Sequence, residues 1–84
     1  MMDPTRHKHI YWRSRRGMLE LELKLVPFLR DHFDALSAPE KQAYEAILSE
    51  EDWQIFDWLQ RRDVPHDATQ ARVIEKILEN VGQL

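Results

Sequence analysis

Arg15-Arg16-Gly17-Met18-Leu19-Glu20 is the stretch of this 84-residue chain whose residue types and spacing best suit the reading of a partner. Arg16 and Glu20 are four apart, so they share a face if a helix begins early enough. As a purely structural pair they would be worth only ~0.2–0.5 kcal/mol in water. Presented to another molecule, Arg16 offers a planar fork of donors suited to carboxylate or phosphate. Gly17, just before the helix, lets the backbone turn tightly or lets another surface approach closely. A binding role and a plain helix start both fit these residues. Upstream, Tyr11 and Trp12 interleave with Arg13, Arg15 and Arg16, a pattern suited to stacking on single-stranded bases. A small helical nucleic-acid-binding or regulatory adaptor, acting through the Arg6–Arg16 arm, is therefore one reading. The acidic body and the lack of a second basic helix argue against it.

Catalysis and metal binding find less support. His7 and His9 are two apart and would point to different faces of a helix, while His32 and His66 fall in other segments. None forms the i, i+4 pair of a helical zinc site, and no glycine-rich phosphate loop occurs. The chain has no cysteine, which excludes disulfides, thiolate zinc sites, iron–sulfur clusters and a Cys nucleophile. Of the three serines, Ser14, Ser37 and Ser49, two are better explained as helix caps. No catalytic, metal or cofactor-binding residue is assigned, and the chain reads as a binding module rather than an enzyme.

These residues must be positioned by a small domain. Eighty-four residues with 43% hydrophobic and 32% charged content, two glycines and four prolines give a single globular domain over residues 1–84. About residues 1–8 form a flexible N-terminal arm. Residues 1–16 carry five basic groups against one acid, whereas the remainder is strongly acidic and the net charge is −3. A basic arm on an acidic body could seek an anionic partner. The N-terminus is polar and no apolar run nears the ~20 residues of a membrane span, so a cytoplasmic location is expected.

Hydrophobic periodicity predicts an all-α bundle of about five helices. Gly17 separates the basic segment from a helix over Met18–Phe33. There Leu21, Leu25, Phe28, Leu29 and His32 share a face, with Leu19 and Leu23 widening the stripe. The alternation in Leu19-Glu-Leu-Glu-Leu-Lys-Leu25 also fits a half-buried strand. Good helix formers and the absence of β-branched residues favour helix, with a kink or break at Pro27. Ser37-Ala-Pro-Glu40 is a capping box opening a helix to about Ser49, with Tyr44, Ile47 and Leu48 inward. Acids at Glu50, Glu51 and Asp52 start the next, to about Arg62. In it Ile55, Phe56 and Leu59 face inward, and Trp53 and Trp58, five apart, cannot both do so. Val64-Pro65 breaks the chain. Asp67 then caps a helix over about Ala68–Val81, with Ile74, Ile77, Leu78 and Val81 as its stripe and Gly82 as its C-cap.

The string Trp12-Arg-Ser-Arg-Arg16-Gly17-Met18-Leu19-Glu20-Leu-Glu22 resembles the RGxxE signature of the SdhE-type succinate dehydrogenase assembly factors. Pro27-Phe28-Leu29, Leu36-Ser37, Tyr44 to Leu48 and Ile55-Phe56-Asp-Trp58-Leu59 also match that family, so the resemblance covers about residues 9–79. It implies a five-helix domain without catalytic activity that stably binds no cofactor. Its members bind the flavoprotein subunit of succinate dehydrogenase, and in bacteria that of fumarate reductase, and promote covalent FAD attachment to a histidine of that subunit. Arg16, Gly17 and Glu20 would form the contact surface, with Arg15 and Trp12 around them. The resemblance implies no nucleic-acid partner and no membrane insertion. The chain departs from the family at Asp52-Trp53-Gln54, where Asp-Pro-Asp is usual, and at Asp63, a loop position often held by glycine. The early position of the arginine pair fits a bacterial cytoplasmic member.

Overall fold

The computed structural model describes residues 4–14 and 18–82, and within them five α-helices and no strand. The helices are α1 (Pro4–Ser14), α2 (Leu19–His32), α3 (Ala38–Leu48), α4 (Asp52–Leu59) and α5 (Ala68–Val81), with one 3-10 turn at Phe33–Ala35 after α2. The all-α expectation holds. α1 begins at Pro4, so residues 4–8 of the expected arm have helical backbone. α3 and α5 pack along one another, α2 lies against α5, α1 rests on α2 and α3, and α4 on α2 and α5.

Each helix forms for reasons visible in its residues. In α2 the leucine alternation resolves as helix: Leu21, Leu25, Phe28 and Leu29 are buried at 3.6-residue spacing. Leu19 and Leu23 do not widen that stripe but remain in solvent. An alternating pattern wound into a helix sends every second leucine off the buried face. Pro27 does not split α2, which runs unbroken to His32. α3 begins with the expected capping box, the Glu40 N–H donating to Ser37 Oγ and the Ser37 N–H to Glu40 Oε1. Asp67 Oδ1 accepts from the Gln70 N–H at the start of α5. α5 ends at Gly82, whose φ of 84° lies where a side chain is rarely tolerated. Lys24 of α2 donates to the Val81 carbonyl there at 2.8 Å, placing a cation at the negative end of α5.

α4 ends at Leu59, short of Arg62. The Arg62 N–H turns back to the Asp57 carbonyl and the Arg61 N–H to that of Trp58, which is a Schellman closure. Its left-handed position, usually glycine, is Arg61, with φ 61°. The left-handed residue of this connection is therefore Arg61 rather than Asp63. The core gathers Tyr44, stacked on Phe28 (5.9 Å between centroids) and edge-on to Phe33 (5.3 Å), with Ile10, Ile47, Ile55, Leu59 and Ile77. In α4, Trp58 is buried while Phe56 is only partly so and Trp53 stands in solvent.

Candidate partner-binding surface

The site expected from sequence straddles the join between α1 and α2. Arg15, Arg16 and Gly17 lie outside the described residues. Trp12 and Glu20, on either side, are described. The two helix ends that carry them are built from opposite materials.

The end of α1 is tied down by polar bonds. Arg13 sends one guanidinium nitrogen to the Glu45 carbonyl (3.0 Å) and to Ser49 Oγ (2.9 Å), both near the end of α3. Ser14 is fully buried and donates to the Ile10 carbonyl at 2.9 Å. Its Oγ also lies 2.8 Å from the Tyr44 hydroxyl, which reaches the Leu25 carbonyl of α2 at 3.3 Å. Two hydroxyl protons thus serve three short contacts. With Ser14 donating to Ile10, the single Tyr44 proton serves both Ser14 Oγ and the Leu25 carbonyl. Tyr44 in this way joins α1, α2 and α3 at one buried point. Nothing local in the sequence announces this, because Ser14 and Tyr44 are 30 residues apart.

The start of α2 has no side-chain cap. The Met18 carbonyl accepts from the Leu21 and Glu22 N–H groups, and Met18 is extended. Glu20 and Glu22 in the first turn supply negative charge at the positive end of the helix, partly replacing the missing cap. Glu20 is exposed, as a partner-reading residue must be.

Around these ends the surface is unusually apolar for exposed helix. Trp12 is 58% exposed, Leu19 63% and Leu23 61%; Tyr11 stands edge-on to Trp12 at 5.8 Å. Single exposed apolar residues need no explanation, but several large ones flanking one helix junction make it the candidate interaction surface. Trp is also among the residues that dominate binding hot spots. Of the residues expected at this surface, Trp12 and Glu20 are exposed, and Leu19 and Leu23, expected to widen the buried stripe, are exposed beside Glu20.

The remaining candidates sort differently. Among the described residues no three His, Cys, Asp or Glu side chains come close enough to hold a metal ion. Each serine hydroxyl is engaged: Ser14 in the buried network, Ser37 in its cap, Ser49 with Arg13 and the Glu45 carbonyl. Ser49 stands at the C-terminal end of α3 rather than capping the start of α4. Arg13, one of the five cations of the basic arm, is spent on α3. No helix among the described residues is long and apolar enough to cross a membrane.

Residues 8–81 match the family described as the flavinator of succinate dehydrogenase. The chain is similar to the FAD assembly factor SdhE of Pseudomonas aeruginosa, 41% identical over 81 residues that cover 96% of each chain. It is also similar to the FAD assembly factors SdhE of Coxiella burnetii, 35% identical over 77 residues (92% of this chain, 94% of the other), and of Yersinia pestis, 34% over 76 residues (90% and 86%).

Proposed function

The chain belongs to the family of FAD assembly factors of succinate dehydrogenase, and on that premise we propose that it binds the flavoprotein subunit of succinate dehydrogenase and promotes covalent FAD attachment there. Fumarate reductase, whose flavoprotein poses the same attachment chemistry, is a second client under this proposal. The contact is made by Arg16, Gly17 and Glu20, with Arg15 and Trp12 beside them. The observation that carries the reading is the exposed set Trp12, Leu19 and Leu23 around Glu20. It offers apolar area for a packed protein contact and a carboxylate to orient it. Arg13 supports the same reading over a phosphate-binding arm, since its guanidinium serves the fold.

The chain contributes positioning rather than a reacting group. Flavin and histidine both belong to the client, and a factor that holds the client with the two aligned lowers the entropic part of the barrier. FAD is here the client's cargo, and this chain works without a resident cofactor. It acts in the cytoplasm.

The test is covalent flavin fluorescence of the flavoprotein subunit on a denaturing gel. Cells lacking the chain, cells with it restored and cells carrying Gly17→Arg are compared at matched client levels. The proposal expects signal only in the restored cells. Unchanged attachment in all three overturns it. Steep loss of client binding with salt would instead favour the phosphate-seeking arm.

A further inference from the structure

A second feature of the molecule lies on α4 and α5, away in sequence from the α1–α2 junction. It is a cleft of about 330 Å³ between the end of α4, the 60–67 connection and the first turns of α5. Val64, Pro65, Ala68, Ala71 and Ile74 give it apolar walls, and Trp58 forms part of the lining. That volume stands at the low end of ligand pockets and suits one or two side chains rather than a large cofactor.

The polar groups of the cleft are unevenly spent. Trp58 is 6% exposed, and its indole N–H is buried without any acceptor among the described residues. An indole can only donate, so this group lacks the one partner it can use. At the rim the acids are occupied: Asp63 accepts from the Val64 N–H (2.9 Å) and from Gln54 Nε2 (3.2 Å), and Glu75 accepts from Arg61 (2.7 Å). Arg72, exposed beside them, has no ion-pair partner among the described residues. Trp58 and Arg72 thus each offer the cleft a donor that meets no acceptor side chain among the described residues. Arg61 holds a left-handed backbone that glycine would adopt freely, and its side chain crosses to Glu75 on α5.

We propose that this cleft docks a short segment of a protein partner that carries a large aliphatic residue next to an acidic one. The aliphatic side chain fills the apolar walls, a main-chain carbonyl accepts from the Trp58 N–H, and the carboxylate pairs with Arg72. An apolar centre within a charged rim is the arrangement of binding hot spots, where the rim excludes water from the buried contact. The cleft uses no residue of α1 or α2, so its occupancy is separable from the client contact proposed above.

The experiment titrates the intact, ¹⁵N-labelled chain with two blocked peptides, Ac-Gly-Leu-Asp-Gly-NH₂ and Ac-Gly-Leu-Lys-Gly-NH₂, and follows the tryptophan indole resonances by NMR. Trp58→Phe identifies the Trp58 resonance by its loss. The acidic peptide is expected to shift that resonance saturably at millimolar concentration, with the lysine peptide about fivefold weaker. Arg72→Glu, a change at an exposed position, is expected to reverse the preference. Absence of a saturable Trp58 shift with the acidic peptide overturns the site. Equal response to both peptides in the native chain and in Arg72→Glu overturns the assigned chemistry.

Discussion

Replacing Glu40 by Gln removes a charge while leaving the shape and the cap of α3 in place, because a glutamine at this position can still accept from the Ser37 N–H. Glu40 is nearly buried, accepts from the Ser37 N–H at 2.9 Å and pairs with Lys76 of α5 at 2.8 Å. The Lys76 ammonium, then the Ser37 N–H, lower its carboxyl from 4.5 to about 2. At about 1.4 kcal/mol for each tenfold change in proton affinity, that depression is linked to about 3 kcal/mol of folding free energy. Lys76 is 38% exposed, so water screens the pair and about 1.5–2 kcal/mol is the expected share. The folded carboxyl is the stronger acid, so the contribution is complete above about pH 4.5 and vanishes as pH falls through about 2. Urea unfolding of the native chain and Glu40→Gln at pH 7, 4 and 2.5 measures the difference directly. It should be about 1.5–2 kcal/mol at pH 7 and below about 0.7 kcal/mol at pH 2.5. A difference independent of pH would refute the argument, since it would place the effect in packing rather than in the ionised carboxylate.

Other substitutions test separate parts of the account. Tyr44→Phe keeps the aromatic stack but removes the hydroxyl that links Ser14 to the Leu25 carbonyl, and should cost about 1–2 kcal/mol by urea unfolding; adding Ser14→Ala should cost little more, because the two hydroxyls act as one unit. Arg61→Gly should raise stability by about 0.5–1 kcal/mol, the relief of a left-handed backbone exceeding the loss of an exposed ion pair, which a thermal melt would register. Trp58→Ala should cost about 3–5 kcal/mol whereas Trp53→Ala should stay within about 0.5 kcal/mol, again by urea unfolding.

Much of the fold was legible because its signals are local. The Ser37–Glu40 box, the Asp67 cap, Gly82 and the α5 stripe are each written within a few residues and recur in the structure as expected. The errors arose where one residue had two uses. Leu19 and Leu23 read as core because leucine usually is, yet the surface they form cannot be distinguished from a core stripe by hydropathy alone. Trp53 and Trp58 could not be ranked from spacing; the neighbouring helices settle that Trp58 is buried. Arg61 was invisible as the left-handed residue because nothing in its chemistry favours that backbone, whereas Asp63 tolerates it. At the candidate surface the sequence offered Trp12 and Glu20. The Arg13 and Ser14 bonds that fix the end of α1 depend on partners 30 or more residues away in all but one case, and no periodicity encodes them.

The docking of α1 bears on how the molecule yields under load. Among its described side chains only Ile10 and Ser14 are buried, and α1 packs on α2 and α3 but not appreciably on α4 or α5. Undocking it would uncover Ile10 and the faces of α2 and α3 beneath it, and break the Arg13 and Ser14 hydrogen bonds, while the α3–α5 packing stayed closed. Such partial opening lies well below the free energy of global unfolding, so amide exchange should be fastest in α1 and slowest in α3 and α5. Under the proposed function, a client gripping Trp12 would pull on a helix held by few buried side chains of its own. The proposed contact edge could then shift with α1 while α3 and α5 stay packed along one another.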